Sequence, residues 1–526
     1  MEHSMFRRTL PSSIRIWPLH RATKCRSLCD VQHLVEGGAL INETDYDGCT
    51  ALHIAVHSKL TDIVKYLVEK GADVNATEVS RGRSPLHYAT FNNDLELVRL
   101  LTESGANVQY SSTDVDIDMP ILFAVEVGNI EIVKYYLENG IDVDVKLGKY
   151  KMTPLHIAAS RGYIKLVDFL LLNNANVHLK DLQNRSSIHH AVISGKVKIV
   201  HDIIEKGVNI NDGDIFKWTP LYIACRENYF EIVKLLFQNG AMSNLEERSR
   251  NRCPVHLATE MGRIEIIKYF ISGGVDVNLG TTEECTLLHV AARFKQIEIV
   301  KYLLENGADV NKKIQGVTPL YVAVDSSCPN VTELLIQNGA DLKLAECEGE
   351  SILSLALEVV RAYRPRNHTV VVKVIIKYTV LIYNPIEQFI PDGCPFFEEL
   401  TQYCKDCQKE ITGMKNVIIK NSTISLYQII CDSNKHNAFI KYLCNDNIKN
   451  EIQNIEDCLK EFSIYSNINP LIQFNIKKGI QRMELFKDAD LAMKKFVPKL
   501  PLEIRWKILD YLDLTEIKNV IQSDVF

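Results

Sequence analysis

The sequence predicts an all-α protein in which stacked helix pairs form a solenoid, followed by a small helical C-terminal domain. Two short sequence blocks recur in register from residue 17 to about residue 380, and both show apolar residues at helical spacing. The chain has 526 residues, which exceeds the roughly 250–300 residues that one hydrophobic core holds. Apolar residues make up 46% and charged residues 24%, a composition that excludes wholesale disorder.

The first block predicts the first helix of each pair. Its clearest copy is TPLHIA at 153–158, where the Thr153 hydroxyl is placed to cap a helix and Pro154 suits the first turn. Leu155 and Ala158 give this helix a small apolar face, so a neighbouring helix can pack closely. The ten intervals between copies average about 33 residues. Copies begin at residues 17, 50, 84, 119, 153, 186, 219, 253, 286, 318 and 351.

The second block predicts the second helix of each pair. In EIVKYYLENG at 131–140, the residues Ile132, Val133 and Tyr136 share one helix face. Gly140 then ends the helix at a position that requires a positive φ. The polar segment that follows predicts a projecting finger before the next pair. Because each pair is too small to bury its own apolar face, stability comes from stacking.

These blocks resemble the ankyrin repeat, and about eleven copies cover residues 17–380. The resemblance implies a protein-binding solenoid. Five histidines recur at one repeat position, at least a full repeat apart, and therefore cannot converge on one metal or catalytic centre. We expect them to form hydrogen bonds between loops. They are His53, His87, His156, His256 and His289.

Exposed residues that depart from the repeat pattern are the candidates for contact with a target protein. Aromatic residues and arginine anchor interfaces more often than other types. The candidates in the fingers are Tyr150, Trp218, Arg248, Arg250 and Arg252, and those at the first helices are Arg161, Arg226 and Arg293.

Past residue 380 the repeat stops, and residues 396–526 are predicted to form a mostly helical second domain. Near its end, at 496–521, a Leu-Pro pair opens a helix with one apolar stripe. This segment resembles the start of an F-box, truncated because the chain ends at Phe526. The resemblance implies docking on the Skp-family adaptor of SCF-type cullin–RING ubiquitin ligases. The residues expected to dock are Leu500, Pro501, Ile504, Trp506, Ile508, Leu509 and Leu512, and Glu503 also matches the pattern.

Ankyrin repeats followed by such a motif resemble the poxvirus ankyrin proteins with a PRANC domain, in an avian-poxvirus-like form. The resemblance implies a host-range or immune-modulating factor that recruits a host protein to ubiquitination. The alternative is a scaffold that sequesters a host signalling protein without ubiquitination. We expect a monomer that binds a host target, the Skp-family adaptor and the cullin.

The sequence argues against several other classes of function. It contains no Gly-rich phosphate loop, no His-Glu-x-x-His and no nucleophile elbow, so we expect no enzyme and no cofactor. Only Cys404-x-x-Cys407 has metal-like spacing, and we expect no metal. A net charge of −6 predicts neither nucleic-acid nor membrane binding. The scattered cysteines, without a secretory signal, predict a cytosolic protein, and the poxvirus resemblance implies the cytoplasm of the host cell, with the nucleus as an alternative.

Overall fold

The fold is the predicted all-α repeat architecture. The computed structural model describes residues 17–79, 82–109, 119–244, 253–280, 285–343, 351–363, 368–383 and 397–416. Within these ranges there are 23 helices and no β-strand, although four isolated β-bridges close individual fingers. No helix in these ranges is both long enough and apolar enough to cross a membrane.

The helices, in chain order, are α1 (Pro18–Lys24), α2 (Leu28–Glu36), α3 (Ala51–His57), α4 (Thr61–Glu69), α5 (Pro85–Phe91), α6 (Leu95–Glu103), α7 (Ile121–Val127), α8 (Ile130–Glu138), α9 (Pro154–Arg161), α10 (Ile164–Leu172), α11 (Ser187–Ile193), α12 (Val197–Glu205), α13 (Pro220–Glu227), α14 (Phe230–Gln238), α15 (Pro254–Glu260), α16 (Ile264–Ser272), α17 (Leu287–Arg293), α18 (Ile297–Glu305), α19 (Pro319–Asp325), α20 (Pro329–Gln337), α21 (Ile352–Tyr363), α22 (His368–Tyr383) and α23 (Phe397–Asn416).

Capping residues define where the first helices begin. At α9 the Thr153 side chain accepts a hydrogen bond from the His156 backbone N–H, the His156 ring accepts one from the Thr153 N–H, and Pro154 occupies the first turn. In the pairs from α1 to α20 the second helices end before a glycine, except α10, where Asn174 takes the positive φ (+61°), and Gly140 has φ +89° as predicted. Helices of this length are marginal alone, so packing must stabilise them.

The chain divides into two compact units, Met1–Ser249 and Arg250–Phe526. In the first unit, α1–α14 form seven helix pairs, in which first helices pack on first helices and second helices on second helices. The core between the layers is aliphatic. At the fifth pair, Leu155, Ala158, Leu166, Val167 and Leu170 are almost completely buried.

The second unit contains three further pairs, α15–α20, and three longer helices. Helices α21 and α22 pack on each other and on α19 and α20, so they continue the stack of this unit as its fourth pair. Helix α23 packs on α22 and buries Leu400, Cys404 and Cys407. Lys373 of α22 also contacts Glu399 of α23, with 2.6 Å between Nζ and Oε1. The predicted boundary between residues 380 and 396 stays a prediction.

Candidate protein-binding surface

Two neighbouring fingers, at 180–186 and 213–218, are each folded by one aspartate at the base. Asp181 Oδ1 accepts hydrogen bonds from the backbone N–H groups of Gln183 (2.8 Å) and Arg185 (2.9 Å). Asp214 Oδ1 accepts in the same way from Phe216 (2.9 Å) and Trp218 (3.0 Å). Aspartate favours such turns because its short side chain reaches the backbone two residues on. The finger conformation is therefore set locally and leaves the side chains at the tip free to vary.

Three consecutive fingers, 147–152, 180–186 and 213–218, are joined to one another, and we call their outer face the tip surface. The Leu182 N–H donates to the Tyr150 carbonyl (2.9 Å), and the Ile215 N–H donates to the Gln183 carbonyl (3.0 Å). Arg185 Nε also lies 3.2 Å from Asp214 Oδ2. These contacts hold the three fingers in register, so side chains from different repeats form one rigid face.

Where a first helix carries the repeated histidine, that side chain ties the helix to the next finger, as predicted. At α9, His156 Nδ1 accepts from the Thr153 N–H (3.2 Å), and Nε2 lies 3.0 Å from the Leu179 carbonyl. A backbone N–H can only donate and a carbonyl can only accept, so the ring is neutral with its proton on Nε2. Equivalent bonds of 2.9–3.2 Å from Nε2 to a carbonyl of the following finger are made by His53, His189, His256 and His289.

Burial keeps the rings of His53, His156, His189 and His289 neutral. It lowers the pKa of His156 to about 3 and the pKa of His189 and His289 to about 4, because an imidazolium would lose its hydration. The pKa of His53 is lowered for the same reason. These histidines are structural and unsuited to acid–base chemistry at neutral pH.

A buried His190–Asp181 pair escaped the sequence analysis. His190 Nε2 lies 3.0 Å from Asp181 Oδ2, and the His190 ring lies 4.9 Å from that of His156. Burial alone would raise the pKa of Asp181, but the hydrogen bonds from His190 and from the Arg185 and Gln183 backbone outweigh it and hold that pKa below its usual value. In the sequence, the doubled histidine in SSIHHA at 186–191 is the feature that could have indicated this pair. The pair braces the base of the middle finger.

The structure places two of the predicted finger residues on the tip surface. Tyr150 is 48% exposed at the tip of its finger. Trp218 is only half-buried rather than fully projecting, because its ring stacks on Tyr222 (5.6 Å between centroids) and lies under the Arg226 guanidinium (4.7 Å). Arg226 is also paired with Glu227 (2.8 Å). Tyr150 and Trp218 are two fingers apart and are connected through the finger that carries Leu182.

The remaining predicted residues fall elsewhere. Arg161 is exposed at the end of α9 and pairs with Glu126 (3.6 Å), and Arg293 is exposed at the end of α17 in the second unit. The other predicted target contacts and all the predicted ligase contacts lie outside the described residues. They are Arg248, Arg250, Arg252, Leu500, Pro501, Ile504, Trp506, Ile508, Leu509 and Leu512.

Sequence reasoning missed several residues that complete the tip surface. Leu182 is 64% exposed, Phe216 45% and Ile215 42%. Three exposed lysines accompany them, namely Lys149, Lys151 and Lys217. The available signal was the presence of large apolar residues inside segments that are otherwise polar.

Two side-chain groups could be mistaken for reactive or metal-binding sites. Cys253 Sγ lies 2.8 Å from His256 Nδ1, but both side chains are buried and occupy the positions of the Thr–His cap in other repeats. Their arrangement is therefore structural. In the described part of the chain, one His/Asp/Glu group has its ligand atoms within 4.8 Å of one another, namely His201, Asp202 and Glu205 on the outer side of α12. Lys198 already pairs with Asp202 (3.1 Å).

Family comparisons agree with this architecture. The family model "Ankyrin repeats (3 copies)" matches residues 19–112, 109–181, 166–247, 188–281 and 255–346. A second family model, the PRANC domain, matches residues 421–522. The segment resembling an F-box at 496–521 lies within this second match.

Relatives of the chain include two fowlpox virus proteins. Ankyrin repeat protein FPV232 is 26% identical over 299 residues, which cover 55% of this chain and 59% of that protein. Ankyrin repeat protein FPV244 is 27% identical over 260 residues, which cover 47% and 36% respectively. The chain thus spans less than two thirds of either relative. The crystal structure of the human ASB11 ankyrin repeat domain aligns at 29% identity with a TM-score of 0.38, covering 42% of this chain and 97% of that one.

Proposed function

Because this chain belongs to the poxvirus ankyrin repeat proteins that carry a PRANC domain, we propose that it is a non-catalytic adaptor that brings a host protein to a ubiquitin ligase. The ankyrin repeats bind the host target. The C-terminal motif binds the Skp-family adaptor and, through it, the cullin of an SCF-type ligase. The proposed place of action is the host-cell cytoplasm, with the nucleus as a second compartment.

The proposal rests on one observation: the apolar stripe lies inside the segment that matches the PRANC domain. Leu500, Ile504 and Ile508 recur at every fourth residue and fall within residues 421–522. Anchors at this spacing are how an amphipathic helix occupies a hydrophobic groove of a partner. Target capture and ligase capture would then use separate parts of one chain.

A second candidate function is a scaffold that sequesters the target and leaves it intact. The rigid tip surface favours this candidate as much as the first, since three fixed fingers can hold a partner without any help from the C-terminal motif. In that case the apolar stripe packs inside its own domain. The two functions differ in the fate of the target and in the proteins that co-purify.

The test is affinity purification of the tagged full chain from infected cells, compared with the variants Ile508→Asp and Lys507→Asp. Ile508→Asp places a carboxylate in the stripe, where desolvating it without a partner costs several kcal/mol. Lys507→Asp adds the same carboxylate at the adjacent position, outside the stripe, and is the matched control.

We expect Ile508→Asp to abolish co-purification of the Skp-type adaptor and the cullin, while the target is still captured and its half-life lengthens. The control should retain all partners. Adaptor binding that survives Ile508→Asp, or that never occurs with the parent chain, would reject the ligase role and leave the sequestering scaffold.

A further inference from the structure

The tip surface combines exposed apolar side chains with a fixed backbone. Tyr150, Leu182 and Ile215 come from three successive fingers, and the two direct backbone hydrogen bonds between these fingers keep them in register. Large apolar groups held in this way bind with little loss of conformational entropy. A partner can therefore gain one apolar contact at each finger.

The charge of the tip surface is positive. Lys149, Lys151 and Lys217 are exposed, whereas the acidic side chains of the same region are either buried or paired with a lysine. Asp181 and Asp214 are buried within their fingers, and Asp212 pairs with Lys180 (3.1 Å between Oδ2 and Nζ). The Lys149 ammonium also lies over the Tyr150 ring, 5.9 Å from its centroid. A partner with carboxylates flanking its apolar residues would complement this surface.

The spacing of the fingers selects the conformation of such a partner. Successive first helices, such as α9, α11 and α13, pack directly on one another, and packed helices lie about 8–10 Å apart. In a polyproline II segment every third residue lies on one face, about 9 Å along the chain. In a β-strand the same-face repeat is about 6.6 Å, which does not match.

From the register, the charge and the spacing, we propose that the tip surface binds an acidic, proline-containing protein segment in the polyproline II conformation, with a large apolar side chain at every third position. One apolar side chain faces each of the three fingers, and the carboxylates between them face the lysines. The exposed aromatic rings of Tyr150 and Phe216 suit this mode, since aromatic surfaces commonly bind polyproline II segments. This inference rests on the proposed protein-binding function and specifies the chemistry of its partner.

The probe is a fluorescein-labelled peptide, Asp-Leu-Pro-Glu-Leu-Pro-Glu-Leu-Asp, titrated with the full chain and followed by fluorescence anisotropy. A second peptide of identical composition carries leucine at every second position. The two test variants are Leu182→Ser and Lys149→Glu. Their matched controls are Leu172→Ser, which changes a leucine that is 81% exposed at the end of α10, and Lys165→Glu on the same helix.

We expect the every-third-position peptide to bind, and each test variant to weaken its binding about tenfold while the controls leave it unchanged. Raising salt from about 50 mM to about 500 mM should also weaken binding. Equal affinity for both peptides, no binding of the first, or unchanged binding by the two test variants would overturn the inference. So would binding of the parent to phosphatidylserine vesicles that the test variants abolish, since that result assigns the surface to membranes.

Failure here is distinguishable from failure of the proposed function. If the host target is still captured by both test variants, the target uses another surface and only this inference is wrong. If no host protein is captured by the parent chain, the proposed protein-binding role itself is rejected.

Discussion

Acidification should destabilise the repeats through the buried histidines. The native rings of His156 and His189 have pKa values of about 3 and about 4, against 6.5 for a free imidazole. A native pKa below the unfolded value means that the unfolded chain binds protons first as the pH falls. The stability from the neutral rings is therefore complete above pH 6.5 and is lost as the pH falls from 6.5 towards 4.

The size of this loss of stability follows from the difference between the pH and the pKa of histidine in the unfolded chain. At pH 5 an unfolded-chain histidine lies about 1.5 pH units below its pKa, and each unit corresponds to about 1.4 kcal/mol. The native rings remain neutral at that pH, so each histidine removes about 2 kcal/mol from the free energy of unfolding. For His156 and His189 together the loss between pH 7.5 and pH 5 is about 4 kcal/mol.

The variant His189→Tyr isolates one of these contributions. The chain already uses tyrosine at the equivalent position of the next repeat, where the Tyr222 N–H donates to Thr219 Oγ1 (3.2 Å). The variant loses the bond from Nε2 to the Trp218 carbonyl and the bond that Nδ1 accepts from the Ser186 N–H, which together lower stability at pH 7.5 by about 2 kcal/mol. Between pH 7.5 and pH 5 the free energy of unfolding of the variant should fall by about 2 kcal/mol less than that of the parent. His201→Tyr, on the exposed side of α12, controls for the introduction of tyrosine.

Urea unfolding measured by the fluorescence of Trp218 provides the assay. The chain has three tryptophans, and changing Trp17 and Trp506 to phenylalanine leaves Trp218 as the reporter beside His189. If the parent is equally stable at pH 7.5 and pH 5, or if His189→Tyr keeps the full pH sensitivity of the parent, the assignment of neutral buried rings is refuted.

Two further predictions concern stability. Gly71→Val should lower the free energy of unfolding by about 1–2 kcal/mol from backbone strain alone, since φ is +87° and an added Cβ meets nothing within 4 Å. Gly48→Ala should lower it by more, since its Cβ would lie 2.7 Å from the Val79 nitrogen. Equal losses for the two variants in urea unfolding would contradict this difference. Leu400→Asp should lower the melting temperature and the hydrogen-exchange protection of α22, because it buries a carboxylate between α22 and α23 at a cost of several kcal/mol. Lys405→Asp, at an exposed position of α23, should change neither quantity, and equal behaviour of the two variants would show that α23 does not dock on α22.

The repeats could be predicted from the sequence because their signals are local and periodic. Thr153 caps its helix, Gly140 takes a positive φ, and the repeated histidines bond to the following finger, as the spacing indicated. Each of these features depends on residues a few positions apart or one repeat apart. Their recurrence in copy after copy makes the pattern visible.

The tip surface could be predicted only in part, because its geometry depends on stacking. The bond between the Ile215 N–H and the Gln183 carbonyl forms only once two repeats are packed, and no periodicity marks either residue. Trp218 was expected to project from its finger, yet Tyr222 and Arg226 hold its ring half-buried. The His190–Asp181 contact likewise joins a helix to a finger across a turn.

The histidine bonds between repeats give the stack a direction. In every case Nε2 donates towards the C-terminus, from His53 to the Arg83 carbonyl and from His189 to the Trp218 carbonyl, for example. During synthesis the N-terminal repeats leave the ribosome first and fold first. A completed repeat then already presents the donor that the next finger will need when it emerges. Each folded repeat that carries this histidine thus presents a binding site for its successor, in the same order in which translation delivers the repeats.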